Sequence, residues 1–241
     1  MGQFLVRPED LDQEKRSARL RGQEAHHLAR VVRAAPGDRV EIFDGTGKRY
    51  SGRLASIDES YAIISDLSVL PSNEPRALVT LLQAPPKGDR WEWLIEKAVE
   101  LGVFAIHPVL SEFTVWKPDE KKIGNKLERW RKTALEAAKQ CERGTVPEIC
   151  TPVPLARYLK ALGAPIEAED RIVCLERKGS NPVTGASDDI RTILAVGPEG
   201  GWSTEEAALF EKAGFRSVGL GPRILRSETA AAAALARLLA R

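Results

Sequence analysis

Cysteine and long apolar runs are scarce in this chain of 241 residues. Its three cysteines, Cys141, Cys150 and Cys174, form no C-x-x-C pair, so the sequence supports neither a zinc site nor a disulfide framework. No apolar run approaches the roughly 20 residues that a membrane helix needs, and the N-terminus lacks the apolar core of a signal peptide. These absences predict reduced, mostly buried thiols and a cytoplasmic protein that binds neither metal nor membrane.

A strong net charge is also absent, although basic residues are unevenly distributed. The chain has 36 Lys and Arg against 34 Asp and Glu, for a net charge of +2, so overall charge indicates no nucleic-acid partner. Residues 15–53 hold ten Lys or Arg against four Asp or Glu, and residues 117–143 hold nine against five. Either zone could contact a polyanion or form ordinary solvated surface, and charge alone leaves both interpretations open.

The apolar pattern changes at a Pro-rich linker, residues 71–75. Before the linker, short strand-like segments surround one helical stripe at residues 22–33, which predicts a small β-barrel-like module. After it, continuous apolar runs alternate with amphipathic helices, as is typical of a mostly parallel sheet with helices on both faces. We therefore predict an α/β fold with two domains, residues 1–72 and residues 76–241.

Glycine is concentrated in one short stretch, LAVGPEGGWSTEE at residues 194–206. The stretch is not a P-loop, because Trp202 stands where the lysine would be, and its glycines do not fit the G-x-G-x-x-G dinucleotide fingerprint. Ordinary turn geometry is the simplest explanation for any single glycine. That explanation is weaker here, because a second Gly-Pro loop at residues 220–226 also follows a predicted strand of the parallel sheet.

The residues after the glycines predict the charge of a ligand. Ser203 and Glu206 have the spacing of a capping box. Glu205 and Glu206 place carboxylates at the positive end of the helix dipole, and Glu199 adds a third carboxylate nearby. We therefore expect a neutral or cationic ligand here rather than a nucleotide phosphate.

The second loop offers complementary chemistry. Arg223 and Arg226 carry planar donors suited to phosphate or carboxylate, and the apolar residues between them could enclose a flat ring. Ser227 is expected to cap the last helix, with Glu228 in its first turn. Ligands of open α/β sheets lie beyond the carboxyl ends of strands. These two loops and a third, LERKG at residues 175–179, follow three predicted strands and would form one pocket if those strands are neighbours.

At these residues the chain resembles a known family. VGPEGGWSTEE followed by LGPRILRSETA is similar to the RsmE family, SPOUT-superfamily methyltransferases that act on N3 of a uridine in 16S ribosomal RNA. HHLARVVRAAPGDRVEIFDGTG resembles the family's PUA-like RNA-binding domain, and KGDRWEWLIEKAVELGV and AAKQCERGTVPEI resemble further family blocks. The resemblance implies a PUA-like domain followed by a SPOUT methyltransferase domain with a deep trefoil knot.

The resemblance also implies the partners and the cofactor. The methyl donor would be S-adenosylmethionine, without a metal, and the substrate would be 16S rRNA within the small ribosomal subunit. The family is homodimeric, and the apolar last helix, residues 230–240, is compatible with packing in the domain or against a second subunit. The implied cofactor-binding residues are Leu175, Glu176, Gly197, Pro198, Glu199, Gly200, Gly201, Leu220, Gly221, Arg223, Ile224, Leu225, Arg226 and Ala230.

Methylation of a uracil imide predicts two catalytic tasks. The acceptor nitrogen is protonated at neutral pH and must lose its proton, and Glu199 and Glu228 are the candidates to accept it, directly or through a water. A cationic donor group would stabilise the developing negative charge on the uracil oxygens, and Arg226 is our first choice. Glu228 is equally well explained as a carboxylate that stabilises a helix start.

Basic residues of both domains are candidates for contact with RNA phosphates. Each one alone is better explained as surface charge, but together they predict a path for an RNA backbone. The set is Arg7, Arg30, Arg33, Lys48, Arg49, Lys87, Arg90, Lys139 and Arg143.

Two departures from the family pattern concern the RNA side. The family usually has an Arg near position 3, where this chain has Gln3, and often has an Arg where this chain has Phe113. Neither departure affects the cofactor motifs. The sequence leaves two alternatives open: a SPOUT methyltransferase with another RNA target, such as tRNA, and a non-catalytic RNA-binding or ribosome-assembly factor.

Overall fold

The computed structural model describes residues 2–58, 60–119, 121–175 and 181–239. These residues form two compact units, and each has its own sheet. The first unit is Met1–Glu74 together with Leu135–Val146, and the second is Pro75–Ala134 together with Pro147–Arg241.

The first unit contains a curled six-stranded sheet. Its strands in spatial order are β1, β4, β5, β6, β3 and β2, and all neighbours are antiparallel except β1 and β4. The strands are β1 Phe4–Leu5, β2 Leu11–Asp12, β3 Ser17–Arg21, β4 Arg39–Phe43, β5 Arg49–Ile57 and β6 Tyr61–Val69. Helical residues are a 3-10 turn at Pro8–Asp10, α1 at Gln23–His26 and a π-helical segment at His27–Val32.

Local sequence explains the central hairpin of this sheet. Asp44 Oδ1 accepts hydrogen bonds from the backbone N–H groups of Thr46 and Lys48, at 2.8 and 3.2 Å. Gly45 and Gly47 both have positive φ in this turn, so glycine meets the backbone requirement at little cost. The predicted hairpin is therefore present, and Leu54 of its second strand is buried in the core of this unit.

The second unit contains a parallel sheet whose spatial order is β10, β8, β7, β13, β11, β14 and β12, with β9 beside β8. Its strands are β7 Leu78–Gln83, β8 Ala105–Leu110, β9 Glu148–Ile149, β10 Val153–Pro154, β11 Glu169–Cys174, β12 Asn181–Pro182, β13 Arg191–Val196 and β14 Arg216–Gly219. The remaining helices are α2 Arg90–Glu100, α3 Ile123–Gln140, α4 Leu155–Leu162, α5 Thr204–Lys212 and α6 Ser227–Leu239.

Apolar side chains of the central strands hold the helices on this sheet. Leu82, Val173 and Ala195 form one buried cluster with Leu159 of α4 and Phe210 of α5. The last helix, α6, packs against α2, β7 and β13. The fold class predicted from the sequence, a mostly parallel α/β sheet with flanking helices and a separate small β-rich module, is therefore confirmed.

Three points go beyond the sequence predictions. The short strands β2, β9, β10 and β12 and the polar strand β3 were not expected. Residues 135–146, which end α3 and follow it, belong to the first unit, so the domain limits 1–72 and 76–241 stay a prediction. The trefoil knot implied by the family resemblance also stays a prediction, because strand order does not define the threading of the chain.

Candidate active site

The candidate site lies at one edge of the parallel sheet. Strands β13, β11 and β14 are neighbours and run parallel, so their carboxyl ends meet at this edge, as the one-pocket prediction required. The glycine loop, residues 197–203, follows β13, and the arginine loop, residues 220–226, follows β14. Leu175 follows β11 and is half-buried, whereas Glu176 lies outside the described residues.

Close packing explains why the glycine loop contains glycine. A Cβ on Gly197 would lie 3.1 Å from Cε2 of Trp202, whose ring covers this residue. A Cβ on Gly200 would lie 2.9 Å from Cβ of Phe113, the residue that departs from the family pattern. Gly201 has φ +74°, a conformation that L side chains rarely adopt. Close packing at Gly197 and Gly200 and the backbone conformation of Gly201 therefore restrict the path of this loop.

The predicted capping box closes the loop and is confirmed. Ser203 Oγ accepts from Glu206 N at 3.3 Å, and Glu206 Oε2 accepts from Ser203 N at 3.0 Å. The second oxygen of Glu206 accepts from Glu112 N at 2.9 Å. The start of α5 is thus already bonded to its own carboxylate, and a phosphate there would meet electrostatic repulsion.

Two predicted catalytic carboxylates face one guanidinium. Arg90 Nη1 lies 3.5 Å from Glu199 Oε1, and Arg90 Nε lies 3.8 Å from Glu228 Oε1. Lys87 N also donates to Glu199 Oε1 at 3.3 Å. Within the described parts of the chain, the buried Oε2 of Glu228 has no hydrogen-bond partner. Two carboxylates therefore share one guanidinium at this corner.

The arginine loop presents its side chains to solvent. Arg223, Ile224 and Arg226 are exposed, and Ile224 is 80% exposed. No ion pair joins either arginine to a carboxylate of the described residues. Both guanidinium groups and one apolar side chain are therefore available to a ligand.

The other predicted cofactor residues lie in the same two loops or beside them. Gly197 and Pro198 are buried, and Leu220, Leu225, Gly201 and Ala230 are half-buried, whereas Glu199, Gly200 and Gly221 are exposed.

Ser227 differs from its predicted role, and it has a partner that sequence reasoning missed. It is the first residue of α6, and its hydroxyl donates to the Gly197 carbonyl instead of capping the helix. The same hydroxyl accepts from Gln83 Nε2 at 2.9 Å. The sequence carries a signal for Gln83, because it is a polar residue that ends an otherwise apolar strand.

Cysteine chemistry is not supported at this edge. Burial raises the pKa of the Cys174 thiol, at the end of β11, to about 12. The thiol is protonated at neutral pH, so it is a poor nucleophile.

Within the described residues, no group of three or more His, Cys, Asp or Glu could hold a metal ion, and no helix is long and apolar enough to cross a membrane.

The predicted RNA-contact residues fall into two groups. Arg7, Arg30, Arg33 and Lys48 of the first unit are exposed, as are Lys87 and Arg90 of the second. Arg49, Lys139 and Arg143 are instead buried within the first unit and paired with carboxylates.

The buried basic residues hold the first unit together. Lys139 Nζ lies 2.8 Å from Glu24 Oε1, and Arg143 Nη2 lies 2.7 Å from Glu74 Oε2. Gln3, the other departure from the family pattern, is also buried and accepts from Arg49 Nε at 3.0 Å. We therefore reassign Arg49, Lys139 and Arg143 from RNA contact to internal ion pairing, because a buried paired cation is not accessible to phosphate.

The side chains at the sheet edge fit S-adenosylmethionine. Its sulfonium cation suits the carboxylates of Glu199 and Glu228, and its flat adenine suits an exposed apolar side chain such as Ile224. The buried indole Nε1 of Trp202 has no partner among the described residues. A polyphosphate suits the edge poorly, because the start of α5 is occupied by Glu206.

Comparisons with known proteins agree with this chemistry. A family model described as RNA methyltransferase domain matches residues 72–239, and one described as RNA methyltransferase PUA domain matches residues 20–67. The chain is 36% identical to "Ribosomal RNA small subunit methyltransferase E" of Synechocystis sp. over 88% of this chain and 69% of that protein. It is 32% identical to the protein of the same name from Bacillus subtilis, over 90% and 87%.

Solved structures are similar along nearly the whole chain. Ribosomal RNA small subunit methyltransferase E from Neisseria gonorrhoeae, bound to S-adenosyl methionine, has a TM-score of 0.83 at 30% identity and covers 98% of this chain and 95% of its own. A putative methyltransferase from Legionella pneumophila, in complex with the cofactor SAM, has a TM-score of 0.82 at 28% identity over 97% and 95%.

Proposed function

Because this chain belongs to the RNA methyltransferase family of the ribosomal RNA small subunit methyltransferase E proteins, we propose that it methylates N3 of a uridine in 16S rRNA with S-adenosylmethionine as donor. One observation carries the proposal: the ends of three neighbouring parallel strands bring the glycine loop, the arginine loop and two carboxylates to one sheet edge. In this reaction the cofactor supplies an electrophilic methyl group on a sulfonium.

The two loops are our proposal for the donor site. Backbone groups of residues 197–201 and residues 220–226 would hold the cofactor, with Leu175 and Ala230 beside them. Ile224 would cover the adenine ring, and the negative charge of Glu199 and Glu228 would favour the cation. Glu176 remains part of the proposed set, although it lies outside the described residues.

The same edge provides groups for the acceptor base. Glu228 lies at this edge beside Arg90 and would accept the N3 proton, directly or through a water. Arg226 is exposed and would donate to a uracil oxygen as negative charge develops. Arg90 would hold the Glu228 carboxylate in place, since its guanidinium contacts it.

RNA would contact each unit through exposed cations. Arg7, Arg30, Arg33 and Lys48 are the proposed phosphate contacts of the first unit, and Lys87 is that of the second. The target uridine would be turned out of its stack to reach the sheet edge. We keep residues 1–72 as the RNA-binding domain and residues 76–241 as the methyltransferase domain, and the matched ranges of the two family models support this division.

The proposal includes a homodimer that acts on the small ribosomal subunit in the cytoplasm. Large apolar side chains of the second unit support the dimer, because Trp93, Phe113 and Val115 are 43%, 44% and 59% exposed. Sedimentation velocity tests it: a single species of twice the chain mass is expected, and a monomer at micromolar concentration would contradict it.

The reaction is tested with small ribosomal subunits from cells that lack the modification. The subunits are incubated with the protein and methyl-labelled donor, and the labelled nucleotide is mapped. We expect one labelled uridine in 16S rRNA, methylated at N3. In a parallel incubation with tRNA, label in tRNA and none in 16S rRNA would indicate another target. Donor binding without transfer to either RNA would indicate a non-catalytic factor.

A further inference from the structure

Gln83 is a fully buried polar residue at the carboxyl end of β7. Its Nε2 donates to Ser227 Oγ at 2.9 Å and to the Ala84 carbonyl at 2.7 Å. Ser227 Oγ in turn donates to the carbonyl of Gly197. A hydrogen-bond chain therefore runs from Gln83 through Ser227 to Gly197, and all of it is buried.

This hydrogen-bond chain joins three elements at the site edge. Gln83 ends β7, Ser227 begins α6, and Gly197 begins the glycine loop directly after β13. The Ser227 hydroxyl fixes the direction of the Gly197 carbonyl and thus the peptide plane that leads into Pro198. Because the proline ring also fixes φ at the next residue, the glycine loop leaves the sheet in one direction.

Stability alone does not explain a glutamine at this position. Its Oε1 is buried and has no hydrogen-bond partner among the described residues. An unsatisfied buried acceptor is destabilising, and a methionine of similar shape would avoid that penalty. Residues that break a local rule in this way are expected at functional sites.

We infer that Gln83 is a positioning residue that, through Ser227, holds the start of the glycine loop in the orientation that binds the methyl donor. The inference rests on the proposed function, because it assumes that the donor lies against this loop. Without the hydrogen-bond chain, the loop would have more conformations when free, and ordering them on binding would weaken donor affinity.

The test compares four variants by calorimetric titration with S-adenosylmethionine, steady-state methylation of small ribosomal subunits and thermal unfolding. Gln83→Met removes the first hydrogen bond of the series and Ser227→Ala removes both, whereas Ser227→Thr keeps the hydroxyl. Thr192→Val is the matched control, because Thr192 is 1% exposed and lies near the amino end of β13, away from the site edge.

We expect Gln83→Met and Ser227→Ala to raise the dissociation constant and the KM for the donor about tenfold. The value of kcat at saturating donor should stay within about twofold of wild type, because the reacting groups are unchanged. Ser227→Thr should restore donor affinity, and Thr192→Val should leave it at the wild-type value.

Three results would overturn the inference. The first is unchanged donor affinity in both Gln83→Met and Ser227→Ala, and the second is an equal loss of affinity in Thr192→Val. The third is failure of both Gln83→Met and Ser227→Ala to fold, which would assign the hydrogen bonds to stability alone. Failure of the proposed function looks different, because the folded wild-type protein would then not bind the donor at all.

Discussion

At the scale of single residues, Glu228 and Glu199 contact the same guanidinium but differ in solvent access. The side chain of Glu228 is 10% exposed and that of Glu199 is 32% exposed. Glu228 also has an oxygen with no partner within the described chain, whereas an oxygen of Glu199 accepts from Lys87 N. We therefore propose that Glu228, whose second oxygen is not held by a competing hydrogen bond from the described residues, receives the proton of the base, directly or through a water.

Substitution by glutamine distinguishes proton acceptance, which we assign to Glu228, from donor binding, which we assign to Glu199. Glu228→Gln keeps the shape but removes the proton acceptor, so we expect kcat to fall by about 10²–10⁴. Glu199→Gln should lower kcat less than about tenfold, since that carboxylate would act mainly on donor binding. Single-turnover transfer to unmodified small ribosomal subunits measures both variants, and a larger loss in Glu199→Gln would reverse the assignment.

The buried cations of the first unit show what the sequence could not reveal at this scale. Lys139 and Arg143 lie in a basic segment that looks like solvated or RNA-binding surface. Their carboxylate partners, Glu24 and Glu74, are 115 and 69 residues away in sequence, so no local pattern indicates the pairing. Gln3 and Phe113 likewise contact residues distant in sequence, Arg49 and Gly200.

Arg143 provides a test of this reassignment. Arg143→Met leaves the buried Glu74 carboxylate without its partner, so we expect the free energy of unfolding to fall by about 3 kcal/mol in urea titrations. The exposed control Lys132→Met should change it by less than about 0.5 kcal/mol. A fully stable Arg143→Met variant with weaker RNA binding would instead restore the RNA-contact interpretation.

At the scale of secondary-structure elements, the strands that build the site were predictable and several others were not. Strands β7 and β13 are long apolar runs, and α5 begins with an explicit capping box. By contrast, β9, β10 and β12 have two residues each, too few to show a period, and β3 carries exposed arginines between its buried residues. Tertiary pairing, not local pattern, makes these segments strands.

The cap of α5 predicts a measurable contribution to stability. Ser203→Ala removes the acceptor for Glu206 N, so we expect a loss of about 1 kcal/mol and a fall in the melting temperature of about 2–4 °C. Thr204→Ala, one residue further on and exposed, is the matched control. Equal melting temperatures for the Ser203→Ala variant and the wild type would show that the hydroxyl contributes nothing.

At the scale of the whole molecule, the order of the two domains could be predicted from the sequence, because the pattern of apolar residues changes after residues 71–75. The return of residues 135–146 to the first unit could not be predicted from the sequence, because residues 135–140 continue an ordinary amphipathic helix. The neighbour relation of β13, β11 and β14 was a conditional prediction, since sequence gives strand existence but not spatial order. The spatial order of these three strands brings the glycine loop and the arginine loop together into one site.

The exposed cations of the first unit predict the salt dependence of RNA binding. Replacing Arg33, Lys48 and Arg7 by Gln should weaken binding of a 16S rRNA fragment and lower the slope of log affinity against log salt by about 0.7–0.9 for each lost phosphate contact. Donor affinity should not change. Lys160→Gln and Lys212→Gln, at exposed positions of α4 and α5, are the controls, and an equal effect of these would contradict the proposed RNA surface.

The most direct measurement is a crystal structure of this protein grown with S-adenosylmethionine, together with a parallel crystal soaked in ATP. The account predicts the methyl donor beyond the ends of β11, β13 and β14, between residues 197–203 and residues 220–226, and no ATP there. Donor density at another place, or ATP filling this one, would contradict it.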